Sequence, residues 1–230
     1  MSTVRLILLD IEGTTLPITF VRDVLFPYSD KVMPELLREQ ADNPLVKVAL
    51  ADIEATSPGC DPLVQLHDWT VRDEKVAPLK SLQGLAWKTG FESGALKARL
   101  YPDVPPALKA WHDAGLRLAV YSSGSASAQR LLYGYSDAGD LTSLFEAFYD
   151  LDIGGKKVAE SYREIALRAG VAPGEILFLS DIGAELDAAE EAGLRTCQLV
   201  RPEDGTIPHA GTFQAADFKA VGLQFGLPVS

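Results

Sequence analysis

The sequence predicts an α/β protein: a Rossmann-like parallel sheet with helices on both faces, carrying a small helical domain inserted after its first strand. Three observations predict it. Short apolar runs recur that are too brief for buried helices and suit strands covered on both faces. Segments of helical period flank those runs, and strand–helix alternation implies a parallel sheet. One long stretch breaks the alternation and reads as helix after helix.

The first apolar run, residues 4–9 (VRLILL), ends in an acid, Asp10. Residues 116–121 (LRLAVY), 176–179 (ILFL) and 196–200 (TCQLV) supply the next strands. Helical patterns at 108–114 and 126–133 bracket the second run, and those at 162–169 and 185–192 bracket the third. Between them lie helices at 28–39, 45–53, 62–70 and 79–98, jointed at Pro44, Ser57-Pro58-Gly59 and Asp61-Pro62. The core is accordingly residues 1–15 and 101–230, and the inserted helical cap domain is 16–100. The segment after Pro202 carries weak signals.

Composition narrows the function. With 230 residues, 47% of them hydrophobic and 23% charged, the chain can bury a sizeable core. A formal net charge of −11 repels nucleic acid and anionic membranes, so neither is expected as a partner. It repels anionic metabolites as well, so a phosphate site needs local positive charge or a metal. Cys60 and Cys197 form no ligand pattern and read as two buried free thiols of a reducing compartment. No signal-peptide pattern is evident, and no apolar run approaches the roughly 20 residues that span a bilayer. A cytoplasmic monomer is the expectation.

Ligands of open parallel sheets bind at the carboxyl ends of the strands. The first strand ends in Asp10-Ile11-Glu12-Gly13-Thr14-Thr15, the second in Ser122-Ser123-Gly124-Ser125, the third in Ser180-Asp181-Ile182-Gly183-Ala184-Glu185. Lys156 precedes the helix leading to that third strand. Converging carboxylates repel, so a proton or a cation must bind, and Mg²⁺ is favoured where phosphate is also a ligand. Asp10 and Asp181 would ligate one Mg²⁺ per chain by side chains, and Glu12 by its backbone carbonyl. Asp10 can then act as nucleophile on phosphorus, with Glu12 as acid and base. Ser122 and the backbone N–H groups of Ser123 and Gly124 can cradle phosphate, and Lys156 adds charge against both phosphate and Asp10. Taken singly, Asp10 and Asp181 could be helix caps, Ser122–Ser125 a turn and Lys156 a surface lysine, while Glu185 could be a helix-surface acid, a supporting hydrogen-bond acceptor or a residue beside the metal. Their order on successive strand ends is what argues for chemistry.

That ordered set resembles the haloacid dehalogenase-like phosphohydrolases, whose first motif is Asp-x-Asp/Glu-Gly-Thr and whose insertion after it is a cap that closes over the site. A closer resemblance is to the enolase-phosphatase (acireductone synthase) family of methionine salvage. It rests on Glu12 in the first motif, Phe20-Val21, Asp23–Tyr28, Leu79-Lys80, Leu82-Gln83-Gly84, Trp87, Tyr101–Val104, Tyr121–Ser125, Ser136–Leu141, Lys156, Ser161-Tyr162 and Phe178–Asp181. Glu74, Val76, Ala77 and Leu151 depart from that family's usual residues. The resemblance implies enolisation of 2,3-diketo-5-methylthiopentyl-1-phosphate, then Mg²⁺-dependent hydrolysis to acireductone and phosphate. The enolising base stays open: Glu12 is a candidate, and Lys75 or Lys80 could instead stabilise the enolate. Trp87 and Phe20 could meet the methylthio tail or pack within the helices. Gln83 and Gly84 read as a helix-surface amide and a close-packing site. His67, His112 and His209 read as structural. Two other functions share the residues, a phosphatase for another small monoester and a phospho-accepting receiver-type signalling domain, while a non-enzymatic remnant is disfavoured because each core side chain is present.

Overall fold

The computed structural model describes residues 3–229. In chain order, β1 (Leu6–Leu9) is followed by the inserted helices α1 (Ile18–Phe20), α2 (Phe26–Glu39), α3 (Pro44–Thr56), α4 (Pro62–Val71) and α5 (Ala77–Glu92), with a π-helical run, Val21–Leu25, between α1 and α2. The alternation then resumes with α6 (Val104–Asp113), β2 (Arg117–Tyr121), α7 (Ala126–Gly134), β3 (Ala147–Tyr149), α8 (Ala159–Ala169), β4 (Ile176–Ser180), α9 (Gly183–Glu191), β5 (Arg195–Leu199), β6 (Gln214–Ala215) and α10 (Phe218–Phe225). The chain divides into two compact units, one comprising the chain up to Ile18 together with the chain from Ala98 on, the other Thr19–Lys97.

In the first unit the strands are ordered β3-β2-β1-β4-β5-β6, every pairing parallel, so the expected α/β sheet is present. The period of two sends Leu6 and Leu8 into one core with Ala119, Tyr121, Ile176 and Phe178. Ile7 and Leu9 are equally buried, which is why the run is apolar throughout. The chain runs outward from β1 through β2 to β3, then returns to β1's other side at β4. That reversal opens a crevice at the carboxyl ends of β1 and β4, where such sheets bind ligands.

The second unit is a helical packing body. Met33, Leu36, Val46, Ala49, Ile53, Leu66, Trp69, Leu79, Leu82 and Ala86 form its core. Asn43 and Asp61 cap α3 and α4 by accepting from the N–H of Leu45 and Leu63, with proline next in each case.

Several sequence readings need correction. The helix expected to reach residue 98 ends at Glu92, because Ser93 caps it and Gly94 turns left-handed at φ +78°. Cys197 is buried, but Cys60 is only partly so. Gln83 is not a surface amide: it is buried and donates to the Thr70 hydroxyl at 3.3 Å. Gly84 is no close-packing site, since a Cβ there would meet nothing of its unit within 4 Å. Among the described residues no helix is long and apolar enough to cross a membrane.

Candidate active site

Asp10 leaves the end of β1 with its N–H donating to the carbonyl of Leu179, so β1 and β4 stay paired up to the acid itself. Its side chain is 6% exposed, and its Oδ1 lies 2.5 Å from Nζ of Lys156. The same ammonium lies 2.6 Å from Glu185 Oε2. Lys156 therefore bridges the acid after β1 and an acid in the first turn of α9. Its loop is held by hydroxyls: Tyr162 donates to the Lys156 carbonyl at 2.6 Å, Ser161 to that of Gly155 at 2.9 Å, and Tyr121 to that of Gly154 at 2.9 Å. Burial works against the Lys156 ammonium, but the charges of Asp10 and Glu185 outweigh it and hold its pKa above the ordinary lysine value.

Asp181 follows β4 and packs over the turn at Gly13. A Cβ on Gly13, which sits at φ +71°, would lie 2.6 Å from Asp181 Oδ2, so glycine is needed there for space and for conformation. Burial, then the charges of Asp10 and Glu185, push the Asp181 carboxyl up to about 8. Burial and Asp10 likewise push Glu185 up to about 7, against the pull of Lys156 and of Ser180, whose hydroxyl donates to Glu185 at 3.0 Å. Three carboxyl groups, Asp10, Asp181 and Glu185, thus lie around the ammonium of Lys156.

The donor set fits Mg²⁺. Asp181 Oδ1 is buried without a hydrogen-bond partner, an expensive state that a cation relieves. Lys156 takes one oxygen of Asp10, and the other receives, among the described residues, a long 3.5 Å contact from the Thr14 hydroxyl. Among the described residues there is no cluster of three His, Cys, Asp or Glu side chains of the kind that cages a metal.

Ser122 is buried at the end of β2, where its N–H donates to Tyr149 O at 3.2 Å and its Oγ accepts from the Gly124 N–H at 3.4 Å. Ser123 and Gly124 are partly exposed ahead of α7, whose first turn is capped by Ser125 and by Asp150, which accepts from the Ala126 N–H at 2.9 Å. The register Leu9↔Val120 puts this loop on the same sheet edge as Asp10. Glu12 is partly exposed and bridges to Leu16 within the loop after β1.

The cap candidates are engaged inside their own unit. Phe20 is buried, and Trp87 donates to Leu25 O at 2.9 Å and stacks on Phe26. Lys75 pairs with Asp73 at 2.5 Å, and Lys80 is partly exposed in α5. His67 pairs with Asp30, His209 with Asp187, and His112 lies beside Asp113. Sequence reasoning left Glu185 undecided and missed Thr14. A hydroxyl four residues after the nucleophile candidate was the available signal.

An acid held by lysine at the carboxyl end of β1 and a buried carboxylate without a partner at the end of β4 define a class. A family model of haloacid dehalogenase-like hydrolases matches residues 4–193, and the chain belongs to that family. Its relatives narrow the class. The enolase-phosphatase E1 of Gluconobacter oxydans is 63% identical over 99% of this chain and 100% of its own length, and that of Gluconacetobacter diazotrophicus is 61% identical over 97% and 95%. Among solved structures, the UTR4 protein of Saccharomyces cerevisiae superposes with a TM-score of 0.78 at 35% identity, covering 94% of this chain and 99% of that one. Within the hydrolases, then, the chain is an enzyme of the enolase-phosphatase E1 family.

Proposed function

We propose that this enzyme enolises 2,3-diketo-5-methylthiopentyl-1-phosphate and then hydrolyses the enol phosphate to acireductone and phosphate, a methionine-salvage reaction, as a cytoplasmic monomer. The observation that carries the reading is the buried Lys156 bridging Asp10 and Glu185 beside the unpartnered oxygen of Asp181. Asp10, Asp181 and the backbone carbonyl of Glu12 would hold one Mg²⁺, which when bound supplies positive charge to the phosphoryl oxygens.

The remaining work falls to the chain. Lys156 fixes Asp10 through its 2.5 Å contact with Oδ1. Ser122 and the N–H groups of Ser123 and Gly124 hold the phosphoryl oxygens. Asp10 attacks phosphorus, forming an Asp–O–P bond as the bond from phosphorus to the substrate oxygen breaks. Glu12 gives that oxygen its proton. Glu12 then takes a proton from water, the water oxygen attacks phosphorus, and the Asp10 carboxylate is released. For the first step Glu12 is our candidate base, and Lys80 our candidate to stabilise the enolate. Lys75 is a weaker candidate because Asp73 already engages it. Choice of substrate is assigned to the helical unit.

The test follows acireductone absorbance and free phosphate together from the diketone phosphate, with and without Mg²⁺. Asp10→Asn should abolish phosphate release while the diketone is still consumed, and full-rate release by that variant would end the proposal. Glu12→Gln should stop both steps. If it consumes diketone normally, Glu12 is not the enolising base.

A further inference from the structure

Two buried glutamines stand behind the site, each grasping its backbone. Gln129, in α7, is 1% exposed, and its Nε2 donates to the carbonyls of Gly124 and Tyr149, both at 2.8 Å. Tyr149 O is also the acceptor for the Ser122 N–H. One carboxamide thus ties the loop after β2 to the end of β3. Its orientation is set by those two carbonyls, because a flipped amide would aim its oxygen at both, and Oε1 accordingly lies buried without a partner.

Gln198, in β5, is also 1% exposed. Its Nε2 donates to Asp181 O at 2.8 Å and Ile207 O at 3.0 Å, while its Oε1 accepts from the His209 N–H at 2.7 Å. It joins the peptide of Asp181 to the 207–209 segment. His209 in turn packs so closely on Gly183 that a Cβ there would fall 2.4 Å from its ring. Only a neutral carboxamide meets two carbonyls with two N–H groups at so small a volume. Glutamate has the shape but brings a negative charge and no donor.

We infer that Gln129 and Gln198 are positioning residues with separable duties: Gln129 sets the phosphate-binding loop at Ser122–Gly124, and Gln198 sets the peptide carrying the cation-binding carboxylate of Asp181. The inference rests on the reading of the site given above. Both act through backbone carbonyls, so their removal should loosen one ligand each rather than erase the chemistry.

Calorimetry on the full chain tests this, titrating Mg²⁺ alone and inorganic phosphate at saturating Mg²⁺. Gln129→Glu should weaken phosphate about tenfold and leave Mg²⁺ within about twofold. Gln198→Glu should weaken Mg²⁺ about 10- to 100-fold and leave phosphate within about twofold. Gln129→Met and Gln198→Met remove the donors without adding charge, and replace the glutamates should those fail to fold. Variants that weaken both ligands alike, or neither, overturn the separation of duties, as does failure of all four to fold. A wild-type protein that binds neither Mg²⁺ nor phosphate would instead overturn the site reading itself.

Discussion

The two units differ in buried charge: both carry exposed ion pairs, but among the described residues the buried ones lie in the α/β unit. In the α/β unit the Lys156–Asp10 pair is 10% and 6% exposed, and the Arg201–Asp103 pair is 4% and 21% exposed, with Arg201 also donating to the Thr14 and Ala216 carbonyls. In the helical unit Lys47–Asp42 is 59% and 103% exposed, and Arg38–Glu35 is 72% and 66% exposed. Exposed pairs add little to stability because water screens them and side-chain freedom is lost in forming them. Buried pairs are held only by good geometry, and breaking one leaves a stranded charge. Buried ion pairs are therefore a feature of the sheet unit, and the helical unit has an apolar core.

The largest test of that contrast is chemical. Asp10→Asn keeps the shape and removes the charge of the proposed nucleophile, and should lower the rate of phosphate release at least about 10³-fold. His67→Ala, which breaks the exposed pair with Asp30, should change stability by less than about 1 kcal/mol. A phosphate-release assay and urea unfolding check the two outcomes.

Next comes the energetic version. Lys156→Met strands the carboxylates of Asp10 and Glu185, and should cost about 3–5 kcal/mol in urea unfolding of the metal-free protein. Lys47→Met, from a pair with a comparable 2.8 Å contact, should cost about 0–1 kcal/mol. Equal effects would break the comparison. A third test asks what does hold the helical unit. Leu82 is 0% exposed in its core, and Leu82→Ala should cost about 2–5 kcal/mol.

Where the sequence was legible follows the same division. β1, β2 and β4 are buried on both faces, and so they stand out as apolar runs. β3 and β6 span three and two residues, too few for any period to register. Asp10 and Lys156 were legible because strand ends and a motif-like order mark them. Gln129 and Gln198 were not. The bonds of Gln129 reach 5 and 20 residues away and those of Gln198 reach 9, 11 and 17, so no local pattern predicts them, and a glutamine inside a helix or strand looks like surface. Gly84 misled for the reverse reason: a glycine inside a helix invites a packing explanation that its surroundings do not supply.

That glycine gives the smallest and sharpest test. Gly13 and Gly84 lie in different units and have opposite requirements. Gly13 combines φ +71° with a carboxylate where its Cβ would go, so any side chain there strains the turn and displaces Asp181. Gly84 lies inside α5 with open space around it in its unit, so a methyl group meets nothing there and reduces the freedom of the unfolded chain. Gly84→Ala should therefore raise stability by about 0.4–1 kcal/mol in urea unfolding and leave the turnover number unchanged. A gain in stability accompanied by a raised KM for the diketone phosphate would sharpen the contrast, because it would assign that helix face to substrate selection and not to packing. A loss of stability would break it, since it would mean that Gly84, like Gly13 and like Gly90 of its own helix, whose Cβ would fall 2.7 Å from the Tyr28 ring, is held for want of room.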